Sequence, residues 1–399
     1  MGKTIQDILK RAWDDYREDN RVPEYVDKAI AALRWCRTAA LGGHVKKCPA
    51  GHVAGIWYNS CRHRACPQCA WGKIEAWLAA KKVLILPCDH YHIIFTVPDT
   101  FRIFWMWNRK LFADLLFQHV RGTLFDLLAG PRRLRDAKCG FIATLHTWGR
   151  NLVAHPHIHC LVIGGGLTPD GRWRSPRKDG YFLPVRQVAK EFRDRFCDAL
   201  MQHIDQGELE LPSNLTRAMA RRIVRRAKRK RWNVRIPPAY SHGRGVATYL
   251  SRYCVGGPIK NHQLLSFDKR SVTFRYDDHR THRRIVLTLK IAEFLRRLVL
   301  HIPLPGMRVV RSYGLYHHSQ REKLEQARKL LGGGSVLDDD DADRTGAGET
   351  SPQESEPLRC PVCQRELVRG AELARGTWEV PSWAPAGLPP PHASLLEIG

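Results

Sequence analysis

The chain has 399 residues, and its hydrophobic fraction of 43% is enough for packed cores in two or three domains. Its 65 Lys and Arg residues outnumber 39 Asp and Glu residues, giving a formal net charge of +26. We therefore expect a large polyanion, and nucleic acid above all, as its partner. Membrane association is disfavoured because no apolar run reaches about 18 residues, and the N-terminus is typical of a charged amphipathic helix rather than a signal peptide.

The twelve cysteines are unevenly distributed. Cys48, Cys61, Cys66 and Cys69 lie in one short segment, and Cys360 and Cys363 form a separate pair. With no export signal, such clustering indicates metal binding rather than disulfides, and it implies a reducing, cytoplasmic environment.

Hydrophobic periodicity predicts a mixed series of helices and strands. The first elements are two helices within residues 4–40, a turn-rich Cys/His segment at 44–70, a helix at 71–86, a strand at 90–97 and a helical stretch at 101–129. The next are strands at 141–148 and 157–163 joined as an antiparallel hairpin, and helices at 187–206, 214–230 and 243–253. Strands at 272–276 and 284–289 and a helix at 291–300 complete the series. Without strict alternation, this order predicts an α+β fold with a largely antiparallel sheet.

Composition divides the chain into four parts. We expect a helical, zinc- and DNA-binding domain at 1–75, the main domain at 85–331, an acidic disordered linker at 332–357 and a C-x2-C knuckle with a Pro-rich tail at 358–399.

The Cys/His-rich segment predicts a structural zinc site of the ribbon type. Cys66 and Cys69 form the stronger C-x2-C half, and Cys48 and His52 form the other, with Cys61 or His44 as alternatives to His52. Four protein ligands leave no open position for catalysis. For the pair Cys360/Cys363, metal binding would need a second pair from another chain or from distant residues.

A second metal site is predicted on the strand at 157–163. Alternate residues of a strand share a face, so His157 and His159 can hold one divalent ion while Ile158 enters the core. His146 on the partner strand is the first choice for a third ligand, with His155 and Asn151 as alternatives. A metal that assists phosphodiester cleavage needs open coordination positions, which such a site leaves. The equally spaced His90 and His92 are better interpreted as part of a strand whose other face is core.

Tyr249 and Tyr253 are four residues apart, so on a helix they share one face. A tyrosine hydroxyl is a weak nucleophile unless its anion is stabilised, and metal and the nearby cations Arg252 and Lys260 would supply that stabilisation.

The basic run at 217–231 has too little apolar surface for membrane binding. It is more typical of a solvated helix that follows a DNA backbone, with Arg225 and Arg229 as contacts, and Arg62 and Arg64 beside the zinc segment are further candidates.

Together these motifs resemble the two-tyrosine, HUH-type rolling-circle transposases of bacterial insertion sequences, in the insertion-sequence-91 group. The resemblance covers about residues 5–330. The residues that carry it are 36–44, 58–62, 66–69, 95–98, 145–149, 155–162, 164–167, 249–253, 261–262, 272–276 and 313–315. Two departures concern the zinc segment: Cys48 is followed by His52 where a C-x2-C pair is usual, and Ala65 stands where histidine is common.

The resemblance implies an HUH nuclease domain with a central antiparallel sheet flanked by helices, behind an N-terminal helical and zinc-ribbon-like domain. It implies that His157 and His159 bind catalytic Mg²⁺ or Mn²⁺, that Tyr249 and Tyr253 are nucleophiles, and that Zn²⁺ is structural. The expected partner is single-stranded DNA at element ends and target, in the nucleoid. A plasmid replication initiator or relaxase with the same chemistry, and a non-catalytic zinc-dependent DNA-binding protein, are the alternatives.

Overall fold

The structure is a computed structural model that describes residues 4–69, 84–130, 134–176, 182–239, 257–278, 281, 283–332 and 358–376. Its helices are α1 (Ile5–Asp19), α2 (Glu24–Arg34), α3 (Arg102–Trp107), α4 (Arg109–Leu128), α5 (Val185–Gln206), α6 (Arg217–Lys228), α7 (Ile291–Val299) and α8 (Arg321–Leu330). Its strands are β1 (Gly43–Lys47), β2 (Val53–Tyr58), β3 (His90–Thr96), β4 (Gly140–Trp148), β5 (Ala154–Ile163), β6 (Gly166–Leu167), β7 (Trp173–Arg174), β8 (Val234–Arg235), β9 (Leu264–Phe267), β10 (Ser271–Asp277), β11 (Arg284–Lys290), β12 (Val310–Gly314) and β13 (Val368–Leu373).

A five-stranded antiparallel sheet in the order β12-β4-β5-β3-β8 forms the centre of the molecule. Phe95 of β3 and Ile158 of β5 are fully buried in the larger hydrophobic core, which they share with residues of α4 and α5. Ring contacts between Phe95, Phe192, Phe196 and Trp232 bind α5 and the segment after α6 to this core. The central sheet flanked by helices confirms the predicted α+β class.

The N-terminal helices pack in a second core. Thr4 caps α1, because its hydroxyl accepts from the Asp7 amide while the Asp7 carboxylate accepts from the Thr4 amide. Ile8 and Trp13 are then buried together with residues of α2, α7 and the three-stranded sheet β11-β10-β9. The N-terminal helices therefore share their core with elements far along the chain.

A third sheet, in the order β13-β1-β2, joins the two ends of the sequence. Both β2 and β13 pair antiparallel with β1. The sequence predicted only turns for this part of residues 44–70. β-Strands form here because β1 has a partner on each side, and one of them is more than 300 residues away along the chain.

The other predicted helices and strands within the described residues are confirmed, with ends shifted by a few residues. Most of the helix predicted at 71–86, the whole helix predicted at 243–253 and the linker at 333–357 lie outside the described residues. Strand β12 and helix α8 were not predicted. Within the described part of the chain, no helix has the length and apolar composition needed to cross a membrane.

Candidate metal centre and active site

Three histidines converge on one face of the central sheet. The register pairs His146 of β4 directly with His157 of β5, and His159 follows two residues later on the same face. The ring centroid of His146 lies 5.3 Å from that of His157 and 4.5 Å from that of His159, and one nitrogen from each ring lies within 4.8 Å of the others. Ile158, between them in sequence, is fully buried in the core on the opposite face, as predicted.

The β4–β5 hairpin positions these rings. Gly149 donates its amide to the Val153 carbonyl at 2.8 Å, and Leu152 adopts a positive φ of 64° to close the turn. The pairing register shifts between His146 and Trp148, which is the signature of a bulge. The Trp148 ring then stacks on His146 with centroids 4.7 Å apart. The ring of His146 is thus held between an aromatic neighbour and the other two histidines.

Hydrogen bonds fix two of the rings. His157 donates Nδ1–H to the His155 carbonyl at 2.7 Å, which leaves Nε2 with a free lone pair. Nδ1 of His159 shares a 2.8 Å hydrogen bond with Nε2 of His92, which fixes the orientation of the His159 ring. Partners of this kind orient the imidazoles of metal sites.

Burial and the proximity of His146 keep the rings of His157 and His159 neutral. Desolvation, followed by the charge of His146, lowers the pKa of both His157 and His159 well below the ordinary value. Desolvation likewise lowers the pKa of His92 to about 4. Neutral imidazoles are the form that binds a metal ion, so the cluster fits a divalent cation at neutral pH.

The two alternatives for the third ligand have other partners. Nδ1 of His155 lies 3.3 Å from a carboxylate oxygen of Asp99, and Oδ1 of Asn151 accepts from the Val153 amide at 3.3 Å. Of the three candidates, the structure groups only His146 with His157 and His159.

The structure does not bring the five predicted zinc ligands into one site. Cys61, Cys66 and Cys69 lie with Cys36, and the four sulfur atoms are within 4.8 Å of one another. Sγ of Cys61 is 3.5 Å from Sγ of Cys69, and Sγ of Cys36 accepts from the Cys61 amide at 3.4 Å. Four convergent thiols of this kind match the ligand set of a closed zinc site.

Cys48 and His52 lie elsewhere, in a second cluster with Cys360 and Cys363. His44, the alternative to His52, belongs to neither cluster. It lies on β1, where it stands opposite Trp57 of β2 on one side and Glu372 of β13 on the other.

Comparison with known proteins finds two family models that match this chain. Residues 140–323 match the family model described as "Putative transposase", and residues 8–97 match the model described as "Transposase zinc-binding domain". A protein of Sinorhizobium fredii, "Putative transposase y4qJ", is 37% identical over 338 residues, or 83% of this chain and 85% of that protein.

This chain belongs to the insertion-sequence-91 family of transposases. The predicted resemblance is therefore confirmed, and the transposase carries the family's zinc-binding domain. A second relative, the "Transposase for insertion sequence element IS801" of Pseudomonas savastanoi pv. phaseolicola, is 28% identical over 76% of this chain and 73% of its own length. No solved structure matches the transposase.

The predicted nucleophiles Tyr249 and Tyr253, and Arg252 beside them, lie outside the described residues. The chain is described again from Gly257, which lines a small cavity of the transposase together with Arg64, Trp148 and His301. Arg62, Arg225, Arg229 and Lys260 are exposed, as DNA contacts would need to be.

A larger cavity, of about 1450 Å³, runs along edge strand β12. Among the charged residues of its lining, the Lys and Arg residues outnumber the two acidic ones, Asp114 and Asp136. The seven basic residues are Lys110, Arg121, Arg135, Lys138, Arg308, Arg311 and Arg321. Met307 lines both this cavity and the smaller one beside Trp148, so the two lie on either side of one residue.

Two residues of the transposase's clusters were missed in the sequence. Cys36 stands 25 residues before Cys61 and has no second cysteine or histidine two to four residues away that would mark it as a metal ligand. His92 was interpreted only as part of a strand that packs on the core. His92 does lie on a strand whose other face, with Ile93 and Phe95, is core. The H-x-H spacing that it shares with His157 and His159 was the available signal.

Proposed function

We propose that this transposase nicks and rejoins single-stranded DNA through a 5′-phosphotyrosine bond, as in rolling-circle transposition. His146, His157 and His159 would hold a divalent cation, Mn²⁺ or Mg²⁺, beside the scissile phosphate. The observation that carries the proposal is the convergence of three imidazoles on one face of the sheet, two of which, His157 and His159, are kept neutral by burial.

The ligand set fits a catalytic rather than a closed site. Three protein ligands leave coordination positions open, in contrast to the four thiols of the Cys36 cluster. When bound, the cation would polarise the phosphate and neutralise its developing charge. The protein contributes ring orientation, through the carbonyl of His155 and Nε2 of His92, and an apolar sheet behind the rings.

Tyr253 or Tyr249 is proposed as the nucleophile. Three residues separate Tyr253 from Gly257, and the four steps of chain span at most about 14 Å. Gly257 lines the same small cavity as Trp148, and Trp148 stacks on His146 at 4.7 Å. This short connection to the neighbourhood of His146 supports Tyr253 as a nucleophile at the proposed metal site.

In the proposed step the tyrosine oxygen attacks phosphorus, the P–O3′ bond breaks and the tyrosine proton is transferred to the departing 3′ oxygen directly or through water. The products are a 5′-phosphotyrosine and a free 3′-hydroxyl. Because one phosphoester replaces another, the reverse attack by a 3′-hydroxyl rejoins a strand without a nucleotide cofactor. A second tyrosine would allow a second cleavage while the first end is still held.

The basic cavity along β12 is proposed as a path for the strand. Basic side chains attract phosphates without regard to sequence. Seven Lys and Arg residues line this cavity, and Arg64 lines the smaller cavity together with Trp148, which stacks on His146. We assign the polynucleotide backbone to this path, and Arg62, Arg225, Arg229, Arg252 and Lys260 to additional contacts.

The test is a covalent-adduct assay with single-stranded element-end DNA and Mn²⁺, read as a denaturant-stable shift on a gel. We expect an adduct with the wild type, and none with Tyr249→Phe/Tyr253→Phe or with His157→Ala. Tyr276→Phe is the matched control, because Tyr276 packs in the second core and its loss of a hydroxyl should leave the adduct unchanged. An adduct formed by the double tyrosine variant would contradict the nucleophile assignment.

A further inference from the structure

Residues from the two ends of the chain meet in a cluster of three cysteines and one histidine. Cys48 and His52 lie in the turn between β1 and β2, whereas Cys360 and Cys363 precede β13. Cys363 and Cys48 are 315 positions apart in sequence, yet their sulfur atoms are 3.5 Å apart. One ligand atom from each of the four residues lies within 4.8 Å of all the others.

Each pair lies on a tight backbone turn. The Cys48 amide donates to the His52 carbonyl at 3.0 Å, and the Gly51 amide donates to the Cys48 carbonyl at 2.9 Å. On the other side, the Cys360 amide donates to the Arg365 carbonyl at 2.8 Å, and Gln364 adopts a positive φ of 57°. The two turns face each other at one end of the β13-β1-β2 sheet, which is the architecture of a zinc ribbon.

The distances match a tetrahedral metal site. With Zn–S bonds of about 2.3 Å, two sulfur ligands of one tetrahedral zinc are about 3.8 Å apart, and a sulfur and a nitrogen ligand are slightly closer. The observed separations are 3.5 Å for Cys48 and Cys363 and 3.4 Å for Cys48 Sγ and His52 Nδ1. All four cysteine and histidine ligand atoms can therefore contact one ion without rearrangement of the backbone.

Packing alone gives this region little cohesion. Among the described residues, its hydrophobic cluster contains three buried members, Cys48, Cys360 and Leu367, and two of them are proposed ligands. Small β-structures with so little apolar burial ordinarily need a metal or a disulfide to hold them. None of the three cysteines forms a disulfide, and His52 would have no part in one.

We propose that Cys48, His52, Cys360 and Cys363 bind a second structural zinc ion, separate from the Cys36 cluster, which fastens the C-terminal segment to the N-terminal sheet. The zinc-binding family match ends at residue 97 and does not include Cys360 or Cys363. The site closes the chain on itself, so its zinc holds β13 against β1. This inference does not depend on the proposed nuclease mechanism.

The first test is the zinc content of the purified full-length protein, measured by mass spectrometry. The variant Cys360→Ser/Cys363→Ser should contain one equivalent of zinc less than the wild type. The variant Cys36→Ser/Cys61→Ser should also contain one equivalent less, because it loses the zinc of the Cys36 cluster. Cys88→Ser is the matched control, because Cys88 is a partly buried thiol outside both clusters. Unchanged zinc content in the Cys360/Cys363 variant would overturn the proposal.

A gain-of-ligand variant tests the site without removing it. His52→Cys should retain the metal, and after Co²⁺ substitution it should show stronger thiolate-to-cobalt absorption, because three sulfur ligands become four. Retained metal with an unchanged spectrum would exclude His52 as a ligand.

Hydrogen exchange supplies the structural readout: a zinc chelator should accelerate exchange of the amides in β13 and β1 and leave those of β4 and β5 protected. Equal protection of β13 with and without chelator would contradict a fastening role.

Discussion

His92 supports the proposed catalytic metal site from behind, and substitution by phenylalanine isolates its contribution. For Nε2 of His159 to bind a metal, Nδ1 must carry the proton and donate it to Nε2 of His92, 2.8 Å away. Burial lowers the pKa of His92 to about 4, so its ring is neutral at neutral pH and its Nε2 accepts in the tautomer that carries the proton on Nδ1. Phenylalanine keeps an aromatic ring at this position and has no nitrogen to accept the proton.

The two rings are 2% and 5% exposed, so water cannot readily replace the lost partner. A hydrogen bond of this kind contributes about 0.5–1.5 kcal/mol. Changes to the partners of metal-binding histidines lower metal affinity by about 10- to 100-fold. Since a tenfold change corresponds to about 1.4 kcal/mol, we expect His92→Phe to raise the dissociation constant for Mn²⁺ by at least about tenfold.

Mn²⁺ titration followed by electron paramagnetic resonance, on protein already loaded with zinc, measures this affinity directly. His90→Phe is the matched control: His90 lies two residues away on the same strand, is equally buried and bonds to the Tyr316 hydroxyl at 2.7 Å instead of to the cluster. We expect its Mn²⁺ affinity to be that of the wild type. If His92→Phe binds Mn²⁺ within about twofold of the wild type while its thermal unfolding is unchanged, the tautomer argument is wrong.

Three other predictions concern metal choice, DNA affinity and pH. Because imidazole ligands suit later and softer metals better than Mg²⁺, Mn²⁺ should support adduct formation at a lower concentration than Mg²⁺; equal half-saturating concentrations would argue against an all-histidine site. Arg225→Ala/Arg229→Ala should reduce the slope of log affinity for single-stranded DNA against log salt by about 1.4, at about 0.7 per phosphate contact; an unchanged slope in a binding titration would place α6 away from the DNA. Burial lowers the pKa of His301 to about 4, below its value near 6.5 in the unfolded chain. Between these two pH values the unfolded state therefore binds more protons than the folded state. The free energy of unfolding thus decreases as pH drops from about 6.5 towards 4. His301→Gln should therefore flatten the pH dependence of urea unfolding in this window, by on the order of 3 kcal/mol, and an undiminished dependence would exclude His301 as its source.

Local patterns in the sequence predicted the elements that carry the site. Alternation placed His157 and His159 on one face and Ile158 in the core, because a strand's two-residue period is a purely local property. The hairpin of β4 and β5 was predictable for the same reason, since a short polar loop joins two strand-like segments. His146 could be ranked first as the third candidate because its strand is the hairpin partner of β5.

The sequence could not predict the register between neighbouring strands or the pairing of strands that lie far apart along the chain. His92 reaches His159 because Ile94 stands opposite His159, a relation set by the packing of β3 against β5 and not by any local pattern. Cys48 and His52 were predicted to join Cys66 and Cys69, which are near in sequence, but β13 pairs with β1 and supplies a closer pair. Cys36 is placed beside Cys61 by the way α2 ends in the second core.

The same distinction separates the three metal-ligand clusters by function. The histidines project from the middle strands of a sheet whose other face is fully packed, so their spacing is set before any ion binds, and three ligands leave room for a phosphate oxygen. The two cysteine-rich clusters each offer four ligands, and the Cys48 cluster has few other buried residues around it. A preformed, open site suits turnover of a substrate, whereas a closed site drawn from distant parts of the chain stabilises the fold. We therefore propose catalysis for the histidines and a structural role for the cysteines.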